Sequence, residues 1–154
     1  MDTQTARHRL LIPAQAAKLS DLREAISQIF EGYSLPPKLT RRMVLALDES
    51  VANIIEHGRV PETDGTIEIA IDVLDDRIVA EISDNGVPFD PSLRGEQPGS
   101  GSYPRRGFGL YLIHMIADSI EYERTPEGRN VLTLTKMLNS TSQPESAGPD
   151  TCQA

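Results

Sequence analysis

The feature that most constrains the fold is a run of strict alternation on both sides of a short acidic turn at Asp75-Asp76. The apolar residues that recur at every second position are Ile67, Ile69, Ile71 and Val73 before the turn and Ile78, Ala80 and Ile82 after it. A period of two places such side chains on one face of a strand. The pattern therefore predicts a half-buried hairpin, and the rest of the chain must supply a layer that covers its apolar face.

Segments with helical periodicity can supply that layer. Apolar residues recur at helical spacing over residues 17–30 and again from residue 37 or 38 to residue 57, with Gly58 as the expected helix end. A third apolar helix is predicted over residues 108–117, and further short strands over residues 9–13, 120–123 and 131–137. Helices covering an antiparallel or mixed sheet make an α+β two-layer sandwich.

Composition bounds the function classes. The formal net charge is −8, with 38% hydrophobic and 25% charged residues, which indicates one globular domain over residues 1–138. Tight basic pairs occur at Arg41-Arg42 and Arg105-Arg106, and this balance argues against a nucleic-acid or membrane-surface partner. No apolar run long enough to span a membrane and no signal-like start is evident, so a cytoplasmic location is expected. Residues 139–154, which include the single Cys152, are predicted to form a disordered tail.

Three motifs could carry chemistry, and the first is Glu49-x-x-x-Asn53 on the second predicted helix. Residues four apart share a helix face, here the face opposite the apolar stripe. The pair offers a carboxylate that can accept a proton and an amide oxygen suited to Mg²⁺, which prefers oxygen ligands. Taken alone, this spacing is more typical of a solvated helix face.

The second motif, Asp84-Asn85-Gly86, follows the second strand of the hairpin. A carboxylate at this point can accept a hydrogen bond from an exocyclic amino group such as that of adenine. Gly86 would let the backbone approach a flat ring closely. The same tripeptide is also a common strand-ending turn.

The third motif, Gly107-Phe108-Gly109-Leu110, opens the third helix after a proline- and glycine-rich loop over residues 87–106. Backbone N–H groups at a helix N-terminus bind phosphate, and Arg105 and Arg106 add cationic donors. Loops of this length inside a compact domain are usually functional lids or disordered, and this one lies where a lid over the site is expected.

In this order, the motifs resemble those of the GHKL (Bergerat-fold) ATP-binding superfamily over residues 8–138. Residues 45–53 (LALDESVAN) resemble its N-box, residues 81–90 (EISDNGVPFD) its G1 box, and residues 105–113 (RRGFGLYLI) its G2 box. The branch that the chain most resembles is the anti-sigma-factor serine kinases of bacterial partner-switching systems, whose closing strand ends in lysine, here Lys136. Val87-Pro88 stands where many superfamily members have a second glycine, although proline also occurs there in this branch.

The resemblance implies a role for each matching residue. Asn53 would bind the Mg²⁺ that bridges the ATP phosphates, and Glu49 would be the general base. Asp84 would anchor adenine, with Gly86 at close approach. The phosphate segment would comprise Gly107, Phe108, Gly109 and Leu110, and Arg105 or Arg106 would neutralise the transferred phosphoryl group.

The resemblance also implies a function. The favoured hypothesis is a serine/threonine protein kinase that binds a sigma factor and phosphorylates a serine of a STAS-domain anti-anti-sigma protein. Removing a proton from a serine hydroxyl benefits from a carboxylate such as Glu49. The alternatives are a nucleotide-gated binding module without phosphotransfer and an ATPase subunit of a larger assembly. Homodimerisation is an expectation for the family.

Overall fold

A computed structural model of the chain describes residues 7–58, 65–90 and 108–138. Its strands form one sheet of order β1-β2-β3-β5-β4, and all neighbouring strands are antiparallel. Their bounds are β1 His8–Pro13, β2 Thr66–Val73, β3 Arg77–Asp84, β4 Ser119–Arg124 and β5 Asn130–Met137. The predicted hairpin is confirmed as β2 and β3, and its turn is closed by a 2.8 Å hydrogen bond from the Leu74 N–H to the Arg77 carbonyl.

The helices lie close to their predicted positions. They are α1 Leu19–Glu31, α2 Pro37–His57 and α3 Phe108–Ile116. The predicted start of α1 was two residues early because Ala16–Lys18 forms a separate 3₁₀ turn. Helix α2 begins at a proline, whose fixed φ suits a first helical position, and it ends where the Gly58 N–H donates to the Ile54 carbonyl at 2.7 Å. None of these described helices is long and apolar enough to cross a membrane.

One face of the sheet is covered by the helices, so the predicted two-layer α+β sandwich is confirmed. The alternating residues of β2 and β3 are buried against apolar side chains of the three helices. The fully buried large side chains include Leu22, Ile26, Phe30, Met43, Leu47, Ile67, Ile69, Ile71, Ile78, Ile82, Ile113 and Leu134. Each such burial contributes about 1.5–3 kcal/mol, which makes this layer boundary the main source of stability.

The opposite face of the sheet is polar. Arg7 forms ion pairs with Asp72 and Glu81, and Arg9 pairs with Glu68 at 3.2 Å. Lys136 is the next-to-last residue of β5 and lies opposite Ile78, on the face that the helices cover, where it pairs with Asp118 at 3.4 Å. The pairs of Arg7 and Arg9 keep the uncovered face of the sheet charged.

Candidate functional site

Glu49 and Asn53 lie on one face of α2, at the point where α3 begins. A Cβ atom built on Gly109 would lie 2.7 Å from Glu49 Oε2 and 3.5 Å from Asn53 Oδ1. Glycine at the second residue of α3 therefore lets this helix start approach both polar side chains of α2. The structure therefore brings Glu49 and Asn53 of the first motif next to Gly109 of the third motif.

The environment of Glu49 suits a proton acceptor. Burial, and after it the negative charge of Asp48, raise the pKa of the Glu49 carboxyl above its ordinary value. Asp48 itself is held by Arg23 of α1 at 3.2 Å. A partly buried carboxylate with a raised pKa is a stronger base than an exposed one, which is the property that general-base catalysis requires.

Asn53 has unused hydrogen-bonding capacity. Its Nδ2 atom is buried without a hydrogen-bond partner, which is the one such side-chain atom among the described residues. A buried N–H donor without a partner is costly unless a ligand such as a phosphate oxygen accepts from it. The described residues contain no cluster of three or more His, Cys, Asp or Glu side chains that could hold a metal ion. The Oδ1 atom of the same side chain is an oxygen ligand of the kind that Mg²⁺ takes together with nucleotide phosphates, because Mg²⁺ is commonly bound through few protein ligands plus phosphates.

Asp84 ends β3 as a buried carboxylate with 4% exposure. Its Oδ1 atom accepts hydrogen bonds from the Gly86 N–H at 2.8 Å and from Asn130 Nδ2 at 3.0 Å. Asn130 is the residue opposite Asp84 in the antiparallel register of β3 and β5. Two donors on one oxygen fix the carboxylate plane, and no contact with another described residue is recorded for the other oxygen.

Asn130 is a site residue that the sequence motifs did not reveal. Its Nδ2 atom also lies 3.1 Å from the Gly86 and Val87 carbonyls, and its Oδ1 accepts from Tyr122 Oη at 2.6 Å and from Arg124 at 2.9 Å. The 4% exposed side chain thus ties the end of β3 to the β4–β5 pair. Because the hydrogen bond between Asn130 and Asp84 joins residues 46 positions apart, no local sequence pattern predicts it.

Close packing of the protein backbone requires a glycine at position 86. A Cβ atom at this position would lie 2.0 Å from the Gly58 carbonyl oxygen, and the Val87 N–H donates to that same oxygen at 2.7 Å. The C-terminus of α2 is therefore joined directly to the segment after β3. The prediction that Gly86 makes room for a flat ring is not needed to explain the glycine.

A cavity lies between these elements and is lined by Ser50, Asn53, Ile54, Gly58, Asp84, Val87, Phe89, Tyr122, Asn130 and Leu132. Its volume of about 20 Å³ is room for a water molecule and too small for a purine. One wall is formed by Phe89, whose ring stacks on His57 with centroids 5.2 Å apart and planes at 22°.

Several predicted residues lie outside the described part of the chain. These are Arg105, Arg106 and Gly107, most of the predicted lid, and the tail with Cys152. Phe108 begins α3, and Leu110 packs against the core from the first turn of that helix. The roles assigned to all these residues stay predictions.

Comparison with known proteins is consistent with this geometry. A family model described as "Histidine kinase-like ATPase domain" matches residues 12–136. The chain belongs to this family. Among named members, the serine-protein kinase RsbW of Bacillus cereus (strain Q1) is 31% identical over 137 residues, with 82% of each chain covered. The serine-protein kinase RsbW of Listeria innocua is 26% identical over 154 residues, with 96% of this chain and 97% of the relative covered.

A solved structure supports the fold of this histidine kinase-like ATPase domain. The crystal structure of the RsbU and RsbW domains of Rv1364c from Mycobacterium tuberculosis superimposes with a TM-score of 0.62 at 18% identity. The match covers 86% of this chain and 33% of that longer one, so the chain spans about a third of its length. The predicted superfamily and fold are therefore confirmed.

Proposed function

We propose that this chain is a serine/threonine protein kinase and anti-sigma factor, which transfers the γ-phosphate of ATP to a serine of a STAS-domain antagonist. The observation that carries the proposal is Glu49, a partly buried carboxylate beside the start of α3 and on the same α2 face as Asn53. The similarity to proteins named serine-protein kinase supports the reaction class.

Nucleotide binding would use both ends of the site. Asp84 would accept a hydrogen bond from the adenine amino group through the oxygen that Asn130 and Gly86 leave available. The N-terminus of α3, opened by Gly109, would bind phosphate oxygens through backbone N–H groups. Asn53 would hold Mg²⁺, which when bound would neutralise phosphate charge.

Glu49 would then act on the protein substrate. The carboxylate would accept the proton of the serine hydroxyl as the serine oxygen forms a bond to the γ-phosphorus. The bond from the γ-phosphorus to the oxygen bridging the β- and γ-phosphates breaks, and ADP leaves. Arg105 or Arg106 would neutralise the charge on the transferred group, as electrostatic stabilisation dominates phosphoryl transfer.

Incubation of the purified protein with γ-labelled ATP and a STAS-domain protein tests this function. The proposal predicts label on one serine of the STAS protein and release of a bound sigma factor only while that serine is unphosphorylated. A nucleotide-gated binding module would exchange partners with ATP but transfer no label. An ATPase subunit would release inorganic phosphate at a rate indifferent to the STAS protein. A cytoplasmic location and homodimerisation stay predictions.

A further inference from the structure

The first turns of α2 carry a concentration of unpaired positive charge. Most basic residues of the described ranges have a polar partner within those ranges. They are Arg7, Arg9, Arg23, Arg77, Arg124, Arg129 and Lys136. Lys38, Arg41 and Arg42 are exposed, and they form no hydrogen bond or ion pair with another described residue. Four cations of the described residues thus lack a partner among them, and three of the four lie within five consecutive positions of a chain whose net charge is −8.

Helix stability does not explain this cluster. Cations near a helix N-terminus face the positive end of the helix dipole, so their charge opposes rather than supports α2. The first acidic residue of α2, Asp48, is already paired with Arg23 at 3.2 Å. The positive charge is thus left available for a partner.

The cluster lies on the same side of α2 as Glu49. Lys38, Arg42 and Leu45 precede Glu49 by eleven, seven and four residues, which places all of them on one stripe of the helix surface. Leu45 is a large apolar side chain with 37% exposure. At 1.5 Å per residue, Arg42 lies about 10 Å along the axis from Glu49, within the footprint of one protein surface.

Arg41 connects this stripe to a groove between α1 and α2. The groove has a volume of about 450 Å³ and an apolar floor that includes Phe30, Leu35 and Val44. Its hydroxyl groups on Ser27 and Thr40 donate to backbone carbonyls of their own helices. Glu31, on the α1 side, is the single acidic side chain of its lining. The groove can therefore receive an apolar side chain next to a carboxylate bound by Arg41.

We infer that Lys38, Arg41, Arg42 and Leu45, which we call the α2 ridge, form the docking surface for an acidic face of the protein phosphoacceptor. The inference rests on the proposed kinase function and specifies the substrate class of that site. Carboxylates of the partner bind the three cations, and an apolar side chain covers Leu45 or enters the groove. Docking there brings the acceptor serine alongside Glu49. Charge complementarity of this kind acts mainly on the association rate and on partner choice.

Two triple variants with the same change in charge test the inference. The ridge variant is Lys38→Gln with Arg41→Gln and Arg42→Gln, and the matched control is Arg9→Gln with Lys18→Gln and Arg77→Gln, away from α2. Binding is measured by fluorescence anisotropy with a labelled poly-L-glutamate peptide, a labelled DNA duplex and the STAS protein at low and high salt. In the kinase assay, the ridge variant should raise the KM for the STAS protein about tenfold at low salt and leave kcat and ATP affinity unchanged. The control should keep the original KM.

The peptide arm separates this inference from the proposed function. If no phosphotransfer occurs but poly-L-glutamate binds the original chain and the control at least about tenfold more tightly than the ridge variant, the surface stands and the kinase assignment fails. Equal losses in both triple variants would overturn the inference, because general charge would explain them. Ridge-dependent binding of DNA without binding of poly-L-glutamate would overturn it in favour of nucleic acid. Failure of the peptide and of the STAS protein to bind would overturn it as well.

Discussion

Among single residues, Glu49 is the carboxylate whose chemistry the fold changes most clearly. Burial, and then Asp48, raise the pKa of its carboxyl, so it stays protonated to a higher pH than an exposed glutamate. A general base is inactive when protonated. We therefore expect phosphotransfer to fall on the acidic side with an apparent pKa above 4.5, the ordinary glutamate value. A pH profile of single-turnover transfer measures this, and an acidic limb at or below the ordinary value would contradict it.

The buried pair of Asp84 and Asn130 gives a second prediction. Asp84→Asn replaces an acceptor with a donor toward the adenine amino group, and leaving a buried partner unsatisfied costs about 1–3 kcal/mol. ATP affinity should fall roughly ten- to hundredfold in calorimetry. Asn130→Ala should weaken binding in the same direction, because Asp84 Oδ1 loses a donor. The exposed Asn85→Ala is the control, and equal affinity in all variants would remove Asp84 from the site.

These residues also show what the sequence can reveal. Glu49 and Asn53 could be predicted as neighbours because the helical period alone places residues four apart on one face. Asp84 could be predicted because alternation in β3 ends there. Asn130 could not, since its contacts depend on the register of β3 and β5. The backbone contact of Gly86 with Gly58 likewise joins two elements whose packing no local pattern encodes.

At the scale of elements, two glycines mark different kinds of contact. Gly86→Ala would place a Cβ 2.0 Å from the Gly58 carbonyl, and backbone at both positions cannot yield easily. Gly109→Ala would instead meet the flexible end of Glu49 at 2.7 Å. We expect Gly86→Ala to lower the free energy of unfolding by about 1–3 kcal/mol in urea denaturation.

Gly109→Ala should affect activity rather than stability. Alanine is the better helix former, so stability should be kept, whereas displacement of the Glu49 carboxylate should slow phosphotransfer. Equal stabilities of the two variants would contradict the assigned contact between α2 and the end of β3.

At the scale of the whole molecule, the described fold closes at β5. At the end of β5 the Met137 N–H donates to Asp118, and the Leu138 N–H donates to the Asp76 carbonyl. A chain that ends after Leu138 should therefore keep its free energy of unfolding within about 0.5 kcal/mol and keep its ATP affinity. Denaturant titration and calorimetry check this, and a large loss in either would assign the last sixteen residues (139–154) to the domain.

The central claim is that two residues on one face of α2 have different roles. Asn53 acts in nucleotide binding, and Glu49 acts in the phosphotransfer step. Asn53→Ala should weaken nucleotide binding and transfer together, because Asn53 would be a Mg²⁺ ligand. Glu49→Gln should fold normally. Folding raises the pKa of the Glu49 carboxyl, so this group contributes to stability below its ordinary pKa. That contribution is lost as the pH rises through the raised pKa. Near neutral pH the negative charge of Glu49 therefore does not stabilise the fold.

The most direct measurement is the rate of γ-phosphate transfer from ATP to the STAS protein by Glu49→Gln, with Mg²⁺-ATP affinity measured on the same sample. The account predicts nearly unchanged affinity and transfer slowed at least about a hundredfold, the contribution typical of general-base catalysis. Transfer at the original rate would contradict the proposed mechanism, even if ATP binding is preserved.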